Sequence, residues 1–215
     1  MTVTAHAGAF DTPDNSVESV ARAIAEGAGI IEMDVSFRPD GTPVVIHKAR
    51  PRAAEGVLLA EVFALVAQAP GIRMNLDLKS VKNLPAVDAL LREYGLFGRA
   101  FFTGVGKNWA SKVRENSDVP YYLNTDVSKR ARKYPADAKK LALRIRDAGA
   151  LGLNCHYGNV TENVVRTLRA EGLETSVWTV NDEAAARRIL PLRPDNVTSR
   201  HPDMILRVMK ELNIE

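Results

Sequence analysis

The chain has 215 residues, 46% hydrophobic and 26% charged, with a net charge of +3 and an isoelectric point near 9.0. That length allows one domain, residues 1–215, with a full core, and lies near the lower bound for a barrel of alternating strands and helices. A single cysteine, Cys155, excludes a disulfide framework and a thiolate zinc site. The mild basic excess suits a small anionic partner and does not call for nucleic acid; the densest basic run, SKRARK (128–133), reads as a solvated surface. The opening MTVTAHAGAF has neither a basic nor an apolar leader region, and no apolar run reaches membrane length. A cytoplasmic protein without a membrane anchor is therefore expected.

In chain order, short apolar and often β-branched runs predict strands at 2–7, 29–37, 72–79, 99–104, 120–125, 150–155, 174–180 and 195–199. Amphipathic stretches lie between many of them, at 16–27, 58–68, 84–95, 161–172 and 183–190. In the first, Val17, Val20, Ala21 and Ile24 share a face. Gly27, Gly95, Gly149 and Gly172 stand where helices end. Strands alternating with helices in this way predict a parallel sheet joined by crossovers, an α/β protein of (β/α)8 TIM-barrel type. One stretch breaks the alternation. RPDGTPVVIHK (38–48) reads as a strand-loop-strand excursion that leaves the top of the second strand and delivers His47 near the barrel mouth.

Strand periodicity sorts the chemistry. Glu32 and Asp34 share one face of IEMDV (31–35), and Asn75, Asp77 and Lys79 share one face of MNLDLK (74–79). An acidic pair on a strand is often a surface ion-pair feature, and Asp77 and Lys79 can also neutralise each other. Facing a barrel interior, which is normally filled with branched apolar side chains, three carboxylates repel and desolvate unless paired. A divalent cation is the natural remedy, and all-carboxylate ligation favours Mg2+, Ca2+ or Mn2+ over zinc. His6 and His47 end neighbouring segments, and two imidazoles make a general base and acid pair. With Lys79 to offset charge, this is equipment for attack on phosphorus. His156 reads as a surface-loop residue and Cys155 as a small buried hydrophobe. Trp109 and the GVGKN loop (104–108) are weaker candidates for an anion contact.

The motifs together resemble the glycerophosphodiester phosphodiesterase family. They are His6-Ala7-Gly8, Pro13-Asp14-Asn15-Ser16, Gly27-Ala28-Gly29-Ile30-Ile31-Glu32-Met33-Asp34-Val35, Asp40-Gly41 through His47-Lys48, Asn75-Leu76-Asp77-Leu78-Lys79, Trp178-Thr179-Val180-Asn181, and Val197 through Pro202. The resemblance implies a TIM barrel with its site at the C-terminal strand ends. It further implies catalytic histidines His6 and His47, metal ligands Glu32, Asp34 and Asp77, a phosphate-side Lys79 and a pocket-lining Trp178. The implied activity is hydrolysis of a phosphodiester to an alcohol and a phosphomonoester such as glycerol 3-phosphate. The alternatives are a phospholipase-D-like lyase reaction giving a cyclic phosphate and a catalytically silent anion-binding barrel. The chain departs from the family where an arginine is replaced by Ala7, an aspartate by Lys48 and a glutamate by Asp77, and the stretch from His47 to Asn75 is short. Strand eight closes beside strand one, so Arg200 is expected to supply the charge that Ala7 lacks.

Overall fold

The computed structural model describes residues 1–214. The elements, in order, are β1 (Thr2–Ala5), α1 (Val17–Ala25), β2 (Ile30–Phe37), β3 (Pro43–Val45), β4 (Val57–Leu58), α2 (Leu59–Ala67), β5 (Arg73–Leu78), α3 (Leu84–Glu93), β6 (Ala100–Gly106) and α4 (Lys107–Asn116). They continue with β7 (Tyr121–Asn124), α5 (Lys129–Lys133), α6 (Pro135–Asp147), β8 (Gly152–His156), α7 (Glu162–Ala170), β9 (Glu174–Trp178), α8 (Glu183–Ile189), β10 (Asn196–Ser199) and α9 (Pro202–Glu211). β1, β2, β5, β6, β7, β8, β9 and β10 pair in parallel in that order, and β10 returns to β1, which closes the barrel. The excursion is present: β3 runs antiparallel to β2 with Val35 opposite Val45, and β4 adds to its outer edge. From β4 the chain enters α2 directly, so little covers the barrel mouth here.

The outer faces of the strands carry the main core. Met33, Val35, Met74 and Leu76 are buried under helix residues such as Val20, Val62, Phe63 and Val87. The lumen differs from the expected branched apolar filling. Thr4, Glu32, Asn75, Thr103, Asn154, Ser176, Asn196 and Thr198 are all buried polar groups of the barrel strands. A polar lumen is tolerable because its members bond one another. Asn196 Oδ1 accepts from Thr4 Oγ1 at 2.8 Å and Thr2 Oγ1 at 3.0 Å, while its Nδ2 donates to Ser176 Oγ at 3.1 Å. Thr103 Oγ1 donates to Asn75 Oδ1 at 2.7 Å. Ile30, Phe101 and Tyr122 form a separate small apolar cluster near the strands' N-terminal ends.

Two further expectations change. GVGKN is not a loop: β6 runs through Gly106 and α4 begins at Lys107. The β6–β7 register shifts between Phe102 and Val105, so the glycines belong to a strand irregularity. His156 is the last residue of β8 rather than part of a surface loop. Helix α4 escapes the periodicity reading because it buries only Ala110 and Val113. SKRARK forms the short α5; most of it is exposed, but Arg132 turns inward to Val127 O at 3.1 Å and Asn159 Oδ1 at 2.5 Å.

Asn196 ties β1, β10 and β9 together at the closing seam. Asn196→Ala leaves the Thr4 hydroxyl buried without its acceptor and should destabilise the barrel by about 2–4 kcal/mol in urea unfolding. A loss below about 0.5 kcal/mol would mean the seam does not depend on this amide.

Candidate active site

Strand register builds the centre. β2 and β5 set Asp34 directly beside Asp77 and Glu32 beside Asn75. Like charges on adjacent strand positions repel, and this pair sits at the strand ends that form the mouth. Carboxylate oxygens of Glu32, Asp34 and Asp77 lie within 4.8 Å of one another. His6, Asp14, Glu32, Asp34, His47, Asp77, Lys79, Trp109, Trp178 and Arg200 all border one cavity of about 710 Å³. The structure thus brings together every site residue expected from the sequence.

Each acid has its own holder. Glu32 is 5% exposed and accepts the Ala7 N–H at 2.7 Å. Burial, with Asp34 and Asp77 beside it, pushes its carboxyl well above the ordinary range. Asp34 is held the other way. Burial alone would raise it, but Lys79 at 2.9 Å, the Asn15 Nδ2 donor at 2.6 Å and His47 Nδ1 at 3.0 Å keep it below the ordinary value. Lys79 Nζ also reaches Asp77 Oδ2 at 2.6 Å. Burial works against its charge, yet the two aspartates outweigh that and hold it protonated. Asp77 Oδ1 is buried without a hydrogen-bond partner among the described residues.

These residues fit a hard divalent cation. Three carboxylates and one ammonium sum to −2 when ionised, the donors are all oxygens, and burial, with Asp34 and Asp77 beside it, pushes Glu32 toward its neutral form.

The histidines differ in setting. His6 Nδ1 donates to Ala7 O at 2.8 Å, which leaves Nε2 with its lone pair when the ring is neutral. Burial is the main cause holding His6 below its ordinary value, helped by the Arg200 charge. His47 is exposed and is fixed through Nδ1 by Asp34. Arg200 lies over the His6-Ala7-Gly8 turn, as adjacency of β10 and β1 requires. Its guanidinium takes both oxygens of Asp14 at 2.7 Å each. Gly8, at φ 77°, leaves room for that pair: a Cβ there would stand 2.1 Å from Asp14 Oδ1 and 2.8 Å from Arg200 Nη1. Gly104 makes the equivalent allowance for Asp77, whose Oδ1 would be 2.3 Å from a Cβ. Lys48 is drawn away to Glu55 at 2.8 Å. At the rim, Trp178 is 38% exposed and stands edge-on to His156 at 5.9 Å. Cys155 is buried beside the site strands, and burial pushes its thiol up to about 12, so it is inert.

The sequence reading missed Asn15 as a positioning residue. It sits at φ 55°, and it grips Asp34 twice, through Asp34 N–H to its Oδ1 at 2.9 Å and through its own Nδ2. Asparagine tolerates that backbone region better than most residues, so the Asp14-Asn15 step was a readable turn signal. Asn124 and Asn154, polar interruptions near the ends of apolar strands, also border the cavity.

Comparison with known proteins now decides the family. The sequence model of the glycerophosphoryl diester phosphodiesterase family matches residues 6–57 and 57–204. The chain belongs to this family. It is 23% identical to a glycerophosphodiester phosphodiesterase of Bacillus altitudinis, over 93% of this chain and 94% of the relative. It is likewise 23% identical to the enzyme of that name from Caldanaerobacter subterraneus subsp. tengcongensis, over 97% and 98% of the two chains. A solved Oleispira antarctica phosphodiesterase, in complex with the product sn-glycerol-3-phosphate, shares the fold with a TM-score of 0.78 at 19% identity, covering 98% of this chain and 97% of that one.

The crowding of negative charge makes a prediction that needs no assay of activity. A carboxyl whose folded pKa is raised costs nothing below its unfolded value, and its penalty grows as pH rises through the window between the two. Metal-stripped Glu32→Gln, which keeps an acceptor for Ala7 N–H, should therefore melt higher than stripped wild type at pH 7 and equal to or below it at pH 4. Saturating Mn2+, at about 100 times its Kd, should stabilise wild type by about 2.7 kcal/mol and the variant much less. A variant that melts lower at pH 7 and gains as much from Mn2+ would contradict the charge argument.

Proposed function

We propose that this chain hydrolyses glycerophosphodiesters to an alcohol and a phosphomonoester such as glycerol 3-phosphate. The observation that carries the reading is the convergence of two histidines, a lysine and three carboxylates on one open cavity at the strand ends, in a chain of the glycerophosphoryl diester phosphodiesterase family. The product held by the Oleispira antarctica relative supports the same chemistry.

In this reading Glu32, Asp34 and Asp77 would hold a divalent cation, Mg2+, Ca2+ or Mn2+, which when bound would supply charge to polarise the phosphoryl oxygens. Lys79, kept protonated by its aspartates, and Arg200, oriented by Asp14, add positive charge around the phosphoryl group. His6 serves as the base: burial keeps it neutral, and its Nε2 takes a proton from the attacking water. The water oxygen bonds to phosphorus as the bond from phosphorus to the alcohol oxygen breaks. His47, steadied by Asp34, gives its proton to the leaving alkoxide. Trp178 lines the cavity where an ester arm would lie.

The test is hydrolysis of glycerophosphocholine followed by phosphorus NMR, with metal-stripped enzyme reconstituted with each cation. A phosphomonoester is expected as the first product; a cyclic phosphate would replace hydrolysis with intramolecular transfer. His6→Ala and His47→Ala should each lower kcat by about 10²–10⁴-fold. Arg200→Ala should lower kcat/KM by roughly 10- to 100-fold, partly restored by adding Ala7→Arg. Full turnover by stripped enzyme in EDTA, or near-native kcat in either histidine variant, would overturn the mechanism.

A further inference from the structure

Farther round the lumen from Glu32 and Asp34, the cavity holds a feature the mechanism does not use. β7 and β8 lie four strands around the eight-strand barrel from β1 and β2. They carry Asn124 and Asn154 into the cavity as register partners. The two amides have fixed orientations. Gly104 N–H donates at 2.9 Å to Asn124, which must therefore present Oδ1 to it. Asn154 Nδ2 donates to that same oxygen at 3.2 Å. It follows that Asn154 turns its Oδ1, and Asn124 its Nδ2, away from each other's bond. Neither atom has a hydrogen-bond partner among the described residues, and neither is sealed from solvent. Asn154 is only 5% exposed, and the cavity is what its remaining surface meets.

We propose that Asn124 and Asn154 are specificity-determining residues that recognise a hydroxyl-bearing ester arm of the substrate. The inference rests on the phosphodiesterase reading above and adds to it the chemistry of the arm. A free acceptor beside a free donor matches a hydroxyl, which gives one hydrogen bond and takes another, or two neighbouring hydroxyls that engage one amide each. The pair carries no charge, so it does not compete with the carboxylate side for a cation or with Lys79 and Arg200 for the phosphate. A site built to bond a hydroxyl discriminates against an analogue lacking it, because the buried amide atoms are then left unpaired.

The experiment measures kcat/KM for glycerophosphocholine and for the matched 3-hydroxypropyl phosphocholine diester, which lacks the middle hydroxyl, together with bis(p-nitrophenyl) phosphate, which has no hydroxyl arm. Wild type should prefer the glycerol diester over the aryl diester. Asn154→Ala should shrink that ratio by about 10- to 50-fold. Asn124→Asp, which keeps the acceptor for Gly104 N–H and loses the donor, should shrink it as well. Circular dichroism and melting temperature verify that both variants fold. Ratios unchanged in both folded variants would overturn the assignment while leaving the phosphodiesterase reading intact. Wild type that hydrolyses none of the three diesters would remove both.

Discussion

Everything at the mouth of this barrel answers to one constraint: Asp34 and Asp77 are forced side by side by strand register, with Glu32 one inward position below. Two like charges about 4 Å apart repel by roughly 4 kcal/mol even at an effective dielectric of 20. Lys79 offsets part of this by bridging both aspartates. It cannot offset all of it, and the residual charge is what a divalent cation would neutralise. An apolar barrel lumen would make the arrangement worse. The amide and hydroxyl lining of Asn75, Thr103, Asn196 and their neighbours supplies dipoles where other barrels supply methyl groups.

The loops around the mouth are shaped by the same need. The turn after β1 bends so that Ala7 N–H meets Glu32, and it relies on Gly8 to admit the Asp14–Arg200 pair. Asn15 accepts a left-handed backbone to seize Asp34 from above. The irregularity in β6 puts Gly104 against Asp77 and turns its N–H to Asn124. The acid and the amide are thereby linked: the backbone that makes room for Asp77 also fixes the orientation of Asn124 on the next strand. Backbone strain of this kind collects where function requires side chains to be aimed.

The barrel and its acidic centre were legible in the sequence because both depend on period two. Alternation alone put Glu32, Asp34, Asn75, Asp77 and Lys79 on one side, and parallel topology then made β2 and β5 neighbours. The excursion was legible from its Asp40-Gly41 turn, and it does deliver His47 to the mouth. The polar lumen was less so, since Thr4, Thr103 and Ser176 are ordinary strand residues whose partners lie on other strands. Helix α4 lacked a wide apolar stripe. The Asp14–Arg200 pair spans 186 residues of sequence, and only ring closure brings its ends together. Arg200 was expected near the phosphate, but nothing local announces that Asp14 orients it.

The geometry of Glu32, Asp34 and Asp77 points to a site for a hard divalent cation. Its most direct test is a crystal structure of the protein soaked in Mn2+, with anomalous diffraction recorded above the manganese edge. One strong anomalous peak is expected within about 2.0–2.4 Å of oxygens from Glu32, Asp34 and Asp77, with the Lys79 ammonium displaced from at least one aspartate. No peak at that centre at saturating Mn2+, with Lys79 still bridging Asp34 and Asp77, would contradict it.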